Sequence, residues 1–599
     1  MARESPVKVN QPDKQEKLQM HREFSIKQAQ DLVSPETCQE SRGNTRSRRS
    51  ILGIGLSAVV ASVVALKASF LPGAEVEIPT KNVILLIGDG AGYNTLLATA
   101  MYLGKFDRDT GKSSLVFDQP EWVKLACATY PLSLSSRAQN TGQQDPELIY
   151  DPAKAWDPQR GYEWLVKTAT DSAAAGTAMA TGQLTYNNAI NWSDFDRPLG
   201  PTLVEIAKKK GKSTGVVTSV QWSHATPATL GGAKVAKRDE YETIARQMLS
   251  AGILDVIMGA GHPAFDNNGR PRSPDQYQYK YVGGEEIWKA LEAARSRPEG
   301  TYLGFRPVVT KEEFAALCSG PTPAKVVGTA AVAETLQASR SDSKRRSTAS
   351  APVPDKKVIE GSSPAASSPA QQELGQQKGK AGSDELEQEP FAQPLVETVP
   401  DLPTMVAGAL NILDDNPQGF FLMVEGGAID WANHANRADR MIEETVHFLS
   451  AIETVIRWVE KCGSWEETLV IVVADHETGL IWGPEADKIP FQPIVDHGPG
   501  KMPGFRYLST KHSNSLVPLF ARGVGADRFY AWVQGQDPIR GSYVHLTSIF
   551  HVIAEALTGE ETGKKASHAT GLEDAIGIDA LLPPCRLSFF PSSVVRISD

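Results

Sequence analysis

Thr468-Leu-Val-Ile-Val-Val-Ala474 is an apolar, β-branched run of strand length, and it ends directly on Asp475-His476. Ligands just past the carboxyl end of such a strand sit where open α/β sheets build their sites. Asp430 and His434 lie four residues apart, so on a helix both point the same way, and His512 offers a further imidazole. Carboxylate oxygen and imidazole nitrogen suit zinc, in sets of three or four with one position left open for catalysis. Several such pieces in one chain predict a multinuclear metal hydrolase.

Four earlier segments carry compatible chemistry. Lys81-Asn-Val-Ile-Leu-Leu-Ile-Gly-Asp89-Gly-Ala-Gly92 reads as a buried strand with Asp89 at its tip, followed by glycines that allow close backbone approach. The bland alternative is a turn aspartate bonded to its own backbone. Thr170-Asp171-Ser172 opens an Ala-rich helical stretch to Gly182, with Thr170 or Asp171 as its cap. Ser172 then falls in the first turn, where free N–H groups favour an anion and a metal could activate its hydroxyl. Alone, this stretch is equally a small-residue helix packed on a sheet. The segment 215–227 reads as a strand running into a turn, and an extended backbone there would point His224 and Thr226 the same way. Phe420-Phe-Leu-Met-Val-Glu425 is a strand ending in a carboxylate, which is costly to bury unless it is paired or bound to a cation.

Together these residues resemble the alkaline phosphatase family. The resemblance runs from Asn82 to about Phe529 through IGDG, TDSAAAGTAMATG, SHATPA, MVEGGAIDWANH, VVADHETG and KHSNSLVPLFARG, in the family's order. It implies that Ser172 is the nucleophile that forms a phosphoserine. Asp430, His434 and His512 match the ligands of a first zinc, and Asp89, Asp475 and His476 those of a second. Asp89, Thr226 and Glu425 match a third site, usually filled by magnesium. An arginine held by Asp171 is expected to bind the phosphoryl oxygens, and Arg238 is the candidate, with Lys237 beside it as the alternative. The physics of the family is consistent: two metals about 4 Å apart clamp the attacking and leaving oxygens, and a guanidinium pairs with the outer ones.

Two positions depart from the bacterial type with Asp and Lys there. His224 replaces a carboxylate near the third site, a change that would weaken magnesium, favour zinc or cobalt, or alter activation by added metal. Trp431 removes a cation near the phosphate, which predicts faster product release.

The 599 residues, 41% hydrophobic and 22% charged, suit a large soluble α/β enzyme. A net charge of −10 argues against nucleic-acid binding and leaves phosphate attraction to local metals and Arg238. Apolar strands at 82–87, 215–220, 420–424 and 468–474 alternate with helical stretches at 172–181, 202–210, 239–251, 285–295, 402–413 and 438–460. That predicts a three-layer α/β sandwich, a largely parallel sheet between helices. Only 35 residues separate His476 from His512, so any crown domain is small or absent.

The enzyme is expected to occupy 80–334 and 395–590, split by a low-complexity insertion at 335–394 that is rich in Ser, Pro, Gln and Lys and reads as disordered. Residues 1–40 form a polar leader. Residues 41–74 carry Arg48-Arg49 before a mild apolar stretch, which resembles a twin-arginine export signal for a periplasmic or extracellular protein, with an uncleaved membrane anchor as the alternative. Cys38, Cys127, Cys318, Cys462 and Cys585 are widely spaced, with no CxxC.

The expected reaction is hydrolysis of small phosphate monoesters, with two zinc ions and one magnesium per chain. A homodimer is common in the family. Rival readings are a phosphodiesterase or phosphonate hydrolase of the same superfamily, or a non-catalytic phosphate-binding protein. The first would commonly use threonine as nucleophile without the DSAAAGTA helix, and the last would need a lost ligand. A sulfatase would need a C/S-x-P-x-R context that Ser172 lacks.

Overall fold

The computed structural model of the chain describes residues 80–342 and 389–560. The leader, the export signal or anchor, the body of the insertion and the residues beyond 560 lie outside the described residues. Among the described residues no helix is long and apolar enough to cross a membrane.

One eleven-stranded sheet organises the molecule. Its strands are β1 (Asn82–Gly88), β2 (Val123–Ala128), β3 (Ser213–Gln221), β4 (Val256–Ala260), β5 (Arg306–Val308), β6 (Val326–Thr329), β7 (Phe420–Gly426), β8 (Thr468–Val473), β9 (Val517–Gly523), β10 (Gly535–Asp537) and β11 (Gly541–His545). They lie in the order β10-β11-β2-β9-β8-β1-β7-β3-β4-β6-β5. The seven strands from β8 to β5 are all parallel. Every residue of β1, β7 and β8 is buried, as expected of parallel strands covered on both faces.

The covering helices are α1 (Tyr93–Tyr102), α2 (Ser172–Thr181), α3 (Ala225–Leu230), α4 (Tyr241–Ser250), α5 (Leu402–Leu413), α6 (Ala428–His434), α7 (Ala438–Lys461) and α8 (Thr547–Thr558). Helix α7 packs against α1, α5 and α6, while α2 packs against α3 and α8. The predicted three-layer sandwich is therefore present. The segment between His476 and His512 forms only two small ribbons, 477–478 with 512–513 and 481–482 with 506–507.

The topology also explains where ligands collect. Strands β8, β1, β7 and β3 are consecutive neighbours and parallel, so their carboxyl ends open at one edge. Asp475-His476, Asp89, Glu425 and the His224 segment all leave the sheet there. Strand β9 is antiparallel to β8, with Leu519 opposite Val473, so its beginning lies at the same edge. That brings in His512 from the chain just before it.

Two expectations need correction. Strand β3 ends at Gln221, and His224 is the N-cap of α3 with Thr226 inside its first turn. His224 keeps an extended backbone as the cap, but residues 225–226 are helical rather than extended, because Pro227 is accommodated in the first turn, where its missing N–H costs nothing. The insertion is also narrower than 335–394. Arg340 is buried and donates to the carbonyls of Gln337, Gln393 and Pro394 and to Glu443. Asp342 accepts from Arg437 and Arg440. Both stems are thereby fixed to the start of α7, and residues 343–388 lie outside the described residues.

Candidate active site

Asp171 caps α2 by accepting from Ala174 N at 3.0 Å, which places Ser172 at the first helical position. Ser172 is 2% exposed, and its Oγ lies 3.1 Å from His476 Nε2. The helix is close-packed because Gly176 sits where a Cβ would lie 2.2 Å from Thr229 Oγ1 of α3.

The two predicted ligand triads are each brought together. In the first, His434 Nε2 and His512 Nε2 face one another at 3.0 Å, and Asp430 Oδ1 lies 3.3 and 3.4 Å from them. In the second, His476 Nε2 lies 3.2 Å from Asp475 Oδ2 and 3.6 Å from Asp89 Oδ1. Three ligands on a tetrahedral ion, each about 2.0–2.1 Å from it, stand about 3.3–3.4 Å apart. The triads, at 3.0–3.4 Å and 3.2–3.6 Å, lie close to that spacing.

The imidazole tautomers point the same way. His434 Nδ1 lies 2.6 Å from Thr510 O, and His512 Nδ1 lies 2.8 Å from Thr170 O. A carbonyl only accepts, so both Nδ1 atoms carry the proton. The two Nε2 atoms then face each other across 3.0 Å, an arrangement that a bound cation or a shared proton satisfies. Between the triads, Thr478 Oγ1 donates to Asp430 Oδ1 at 2.6 Å and lies 3.3 Å from His476 Nδ1. Its single hydroxyl thus accepts from one triad and donates to the other. Gly90 makes room for this: its φ is +71°, and a Cβ there would stand 2.9 Å from both Asp430 Cα and Thr478 Oγ1.

Electrostatics reinforce the geometry. Asp89, Glu425, Asp430 and Asp475 are at most 3% exposed. Burial, followed by the charges of Asp475, Asp430 and Glu425, pushes Asp89 well above the carboxylate range. Burial and the Asp430 charge bring Asp475 to about 6, and burial above all brings Glu425 to about 7. Burial also works against the Asp430 anion, but His434 and His512 outweigh it and hold that carboxyl low. Asp89 Oδ1, Asp475 Oδ2, Glu425 Oε1 and Thr226 Oγ1 are buried with no hydrogen-bond partner. Unpaired buried oxygens clustered with like charges are what a bound cation would satisfy. The donor set therefore fits metals: nitrogen and carboxylate for zinc in the triads, and hard oxygens for magnesium at Asp89, Thr226 and Glu425.

His224 offers another buried, unpartnered atom, Nδ1, and burial with the nearby Arg238 charge lowers its pKa to about 3. Trp431 lies edge-on to it at 5.7 Å, so an aromatic ring occupies this position. Arg238, not Lys237, reaches Asp171: its Nη1 donates to Asp171 Oδ2 at 3.0 Å. Asn188 N also donates to that oxygen, at 3.0 Å, which fixes the carboxylate between helix, loop and guanidinium.

Thr478 and Thr218 escaped the sequence reading. Thr218 stands opposite Glu425 across β3 and β7 and donates to its Oε2. Its signal was available: a hydroxyl at mid-strand, in register with the one carboxylate of the neighbouring strand. Thr478 lies two residues past His476, at the spacing that returns a side chain to the same face.

A model of the alkaline phosphatase family matches residues 80–496. Alkaline phosphatase 4 of Bacillus subtilis is 26% identical over 439 residues, 70% of this chain and 69% of its own length. The human tissue-nonspecific alkaline phosphatase is 24% identical over 467 residues, 74% of each chain. Among solved structures, the alkaline phosphatase of the Antarctic bacterium TAB5 is similar at 22% identity, covering 81% of this chain and all of that one, with a TM-score of 0.46.

Proposed function

This chain belongs to the alkaline phosphatase family and is a phosphomonoesterase, and we propose that it works through a phosphoserine on Ser172. The observation that carries the reading is the placing of Ser172 Oγ 3.1 Å from His476 Nε2, at the edge of a ligand triad, on a helix whose cap also holds Arg238.

Asp430, His434 and His512 would hold one zinc, Asp89, Asp475 and His476 a second, and Asp89, Thr226 and Glu425 a magnesium. When bound, such ions supply Lewis acidity that lowers the pKa of a serine hydroxyl and of water and neutralises developing oxyanions. The chain's own residues do the rest. Ser172 Oγ forms a bond to phosphorus as the ester's P–O bond breaks, and the alcohol leaves with its oxygen. Water then attacks the phosphoserine, the Oγ–P bond breaks, and inorganic phosphate departs. Arg238 pairs with the outer phosphoryl oxygens in both steps. Its Nη1 is committed to Asp171, while its other donors have no partner among the described residues. Asp171 thus orients the guanidinium and leaves its remaining N–H donors for the phosphoryl oxygens. The first free N–H groups of α2 add partial positive charge beside the nucleophile.

The reading is tested by hydrolysis of an aryl phosphate before and after chelation, with zinc and magnesium added back. Activity lost on chelation, restored by the metals and absent in Ser172→Ala supports it. A folded, metal-loaded protein with no activity refutes it. Export through Arg48-Arg49 belongs to the same proposal. Cell fractionation of the wild type against Arg48→Lys with Arg49→Lys tests it, and an unchanged distribution refutes it.

A further inference from the structure

Beside Arg238 lies a group of hydrogen-bond donors that the reaction does not use. Tyr241 opens α4 three residues after Arg238, and its ring stacks on His224 with centroids 6.1 Å apart. Tyr281 packs on Tyr241 at 4.7 Å, and Ser223 Oγ, next to His224, anchors it by donating to its carbonyl at 2.9 Å. Lys280 Nζ lies 4.6 Å from the Tyr281 ring centre and 5.5 Å from that of Tyr241. Lys280 is half-buried. Among the described residues, neither its ammonium nor the Tyr241 and Tyr281 hydroxyls have a hydrogen-bond or ion-pair partner. The acid whose charge reaches Lys280 is Glu334, and Glu334 Oε2 already accepts from Asn267 Nδ2 at 2.8 Å.

Half-burying an ammonium costs solvation, and two aromatic faces recover part of that cost while leaving all three N–H donors free. Burial also raises the pKa of both tyrosines, so each keeps its O–H proton. One ammonium and two phenols therefore stand on one aromatic cluster, with one ring between the ammonium and His224. Trp431 lies edge-on to His224 and brings no charge.

We propose that Lys280, with Tyr241 and Tyr281, receives a second anionic group of the substrate, and so selects phosphate monoesters whose alcohol carries a carboxylate or another phosphate. The inference rests on the phosphomonoesterase reading. Arg238 takes the transferring phosphoryl group, and Lys280 takes the distal anion.

The test compares Lys280→Met, which keeps the apolar stem on the rings, with Lys280→Arg and the wild type. The substrates are phenyl phosphate, phosphoglycerate and propanediol bisphosphate, measured on the metal-loaded enzyme. Lys280→Met is expected to lower kcat/KM for a doubly anionic ester by about tenfold, mostly through KM, which is the scale of one charge-assisted contact. Phenyl phosphate is expected to change by less than about twofold, and Lys280→Arg to recover most of the loss. A loss on phosphoglycerate alone assigns the cluster to carboxylates, and a loss on the bisphosphate alone assigns it to phosphates. Equal losses on all three substrates, or none on any, overturn the inference. A wild type that does not cleave phenyl phosphate refutes the phosphomonoesterase reading itself, a separate outcome.

Discussion

Replacing Thr478 with Val removes one oxygen from between the two ligand triads and keeps the side-chain shape. The wild-type hydroxyl donates to Asp430 Oδ1 at 2.6 Å and faces His476 Nδ1 at 3.3 Å. The first is a bond to a carboxylate, worth about 1.5–3 kcal/mol. The second leaves a buried ring N–H unpaired when it is lost, since His476 is fully buried. The carboxylate bond alone corresponds to a factor of about 10–100 at 1.4 kcal/mol per decade. That is also the usual scale for losing a group that orients a metal ligand. Two assays separate the effect from unfolding. Competition with a chromophoric chelator reads zinc retention, and thermal unfolding of the chelated protein reads the fold without metal. Thr478→Val is expected to release zinc at about 10–100-fold lower chelator concentration, and Thr478→Ser, which keeps the hydroxyl, to behave as wild type. If Thr478→Val retains zinc within about twofold of the wild type, the hydroxyl does not orient the triads and the reasoning fails.

Asp171→Ala removes both a helix cap and the Arg238 clamp. It is expected to cost about 1 kcal/mol of stability through the cap, seen as a lower Tm, and to raise KM for an aryl phosphate; an unchanged KM counts against the clamp. Gly90→Ala forces a Cβ to 2.9 Å from the Asp430 backbone at a φ of +71°. Loss of zinc retention is expected even where the protein folds, and full retention in a chelator assay contradicts the packing argument. Asp342 gives a pH test. Burial opposes its charge, but Arg437 and Arg440 outweigh burial and hold its pKa below the ordinary 3.8. Its contribution is therefore fully present above that value and lost as pH falls through the lower folded value. The Tm gap between wild type and Asp342→Asn should be constant near neutrality and close in acid; a gap that widens in acid reverses the sign and refutes the pairing.

Much of this was legible because the central strands declare themselves. Runs such as Val83–Ile87 and Leu469–Val473 are apolar without interruption, which only strands covered on both faces tolerate, and each ends on its ligand. The i, i+4 spacing of Asp430 and His434 needed only that 428–434 be helical, as it is. Residues 225–226 read as extended because a strand signal runs up to them and Pro227 looks like turn punctuation. Pro227 instead falls in the first turn of α3, where proline is harmless. The stems of the insertion were misread for another reason. Arg340 and Asp342 are polar and sit in low-complexity surroundings, so composition alone assigns them to solvent. Their partners Glu443, Arg437 and Arg440 lie about a hundred residues away, and no local pattern announces such a pairing.

The buried carboxylates show why the sheet and the metals belong to one argument. Asp89, Asp475 and Glu425 leave β1, β8 and β7, three adjacent strands, so the pairing that builds the core also forces these charges together. Burial and mutual repulsion raise all three above the carboxylate range. With no cation the site must take up protons near neutral pH or weaken the strand ends that hold it. Cations that favour the folded state over the unfolded chain stabilise it by mass action, about 2.7 kcal/mol at a hundredfold excess over Kd. Chelation should therefore lower the Tm, and should lower it less at acidic pH, where protons take the place of the cations on these oxygens. A chelation effect that grows with acidity would mean that the clustered charges are neutralised by something other than metal.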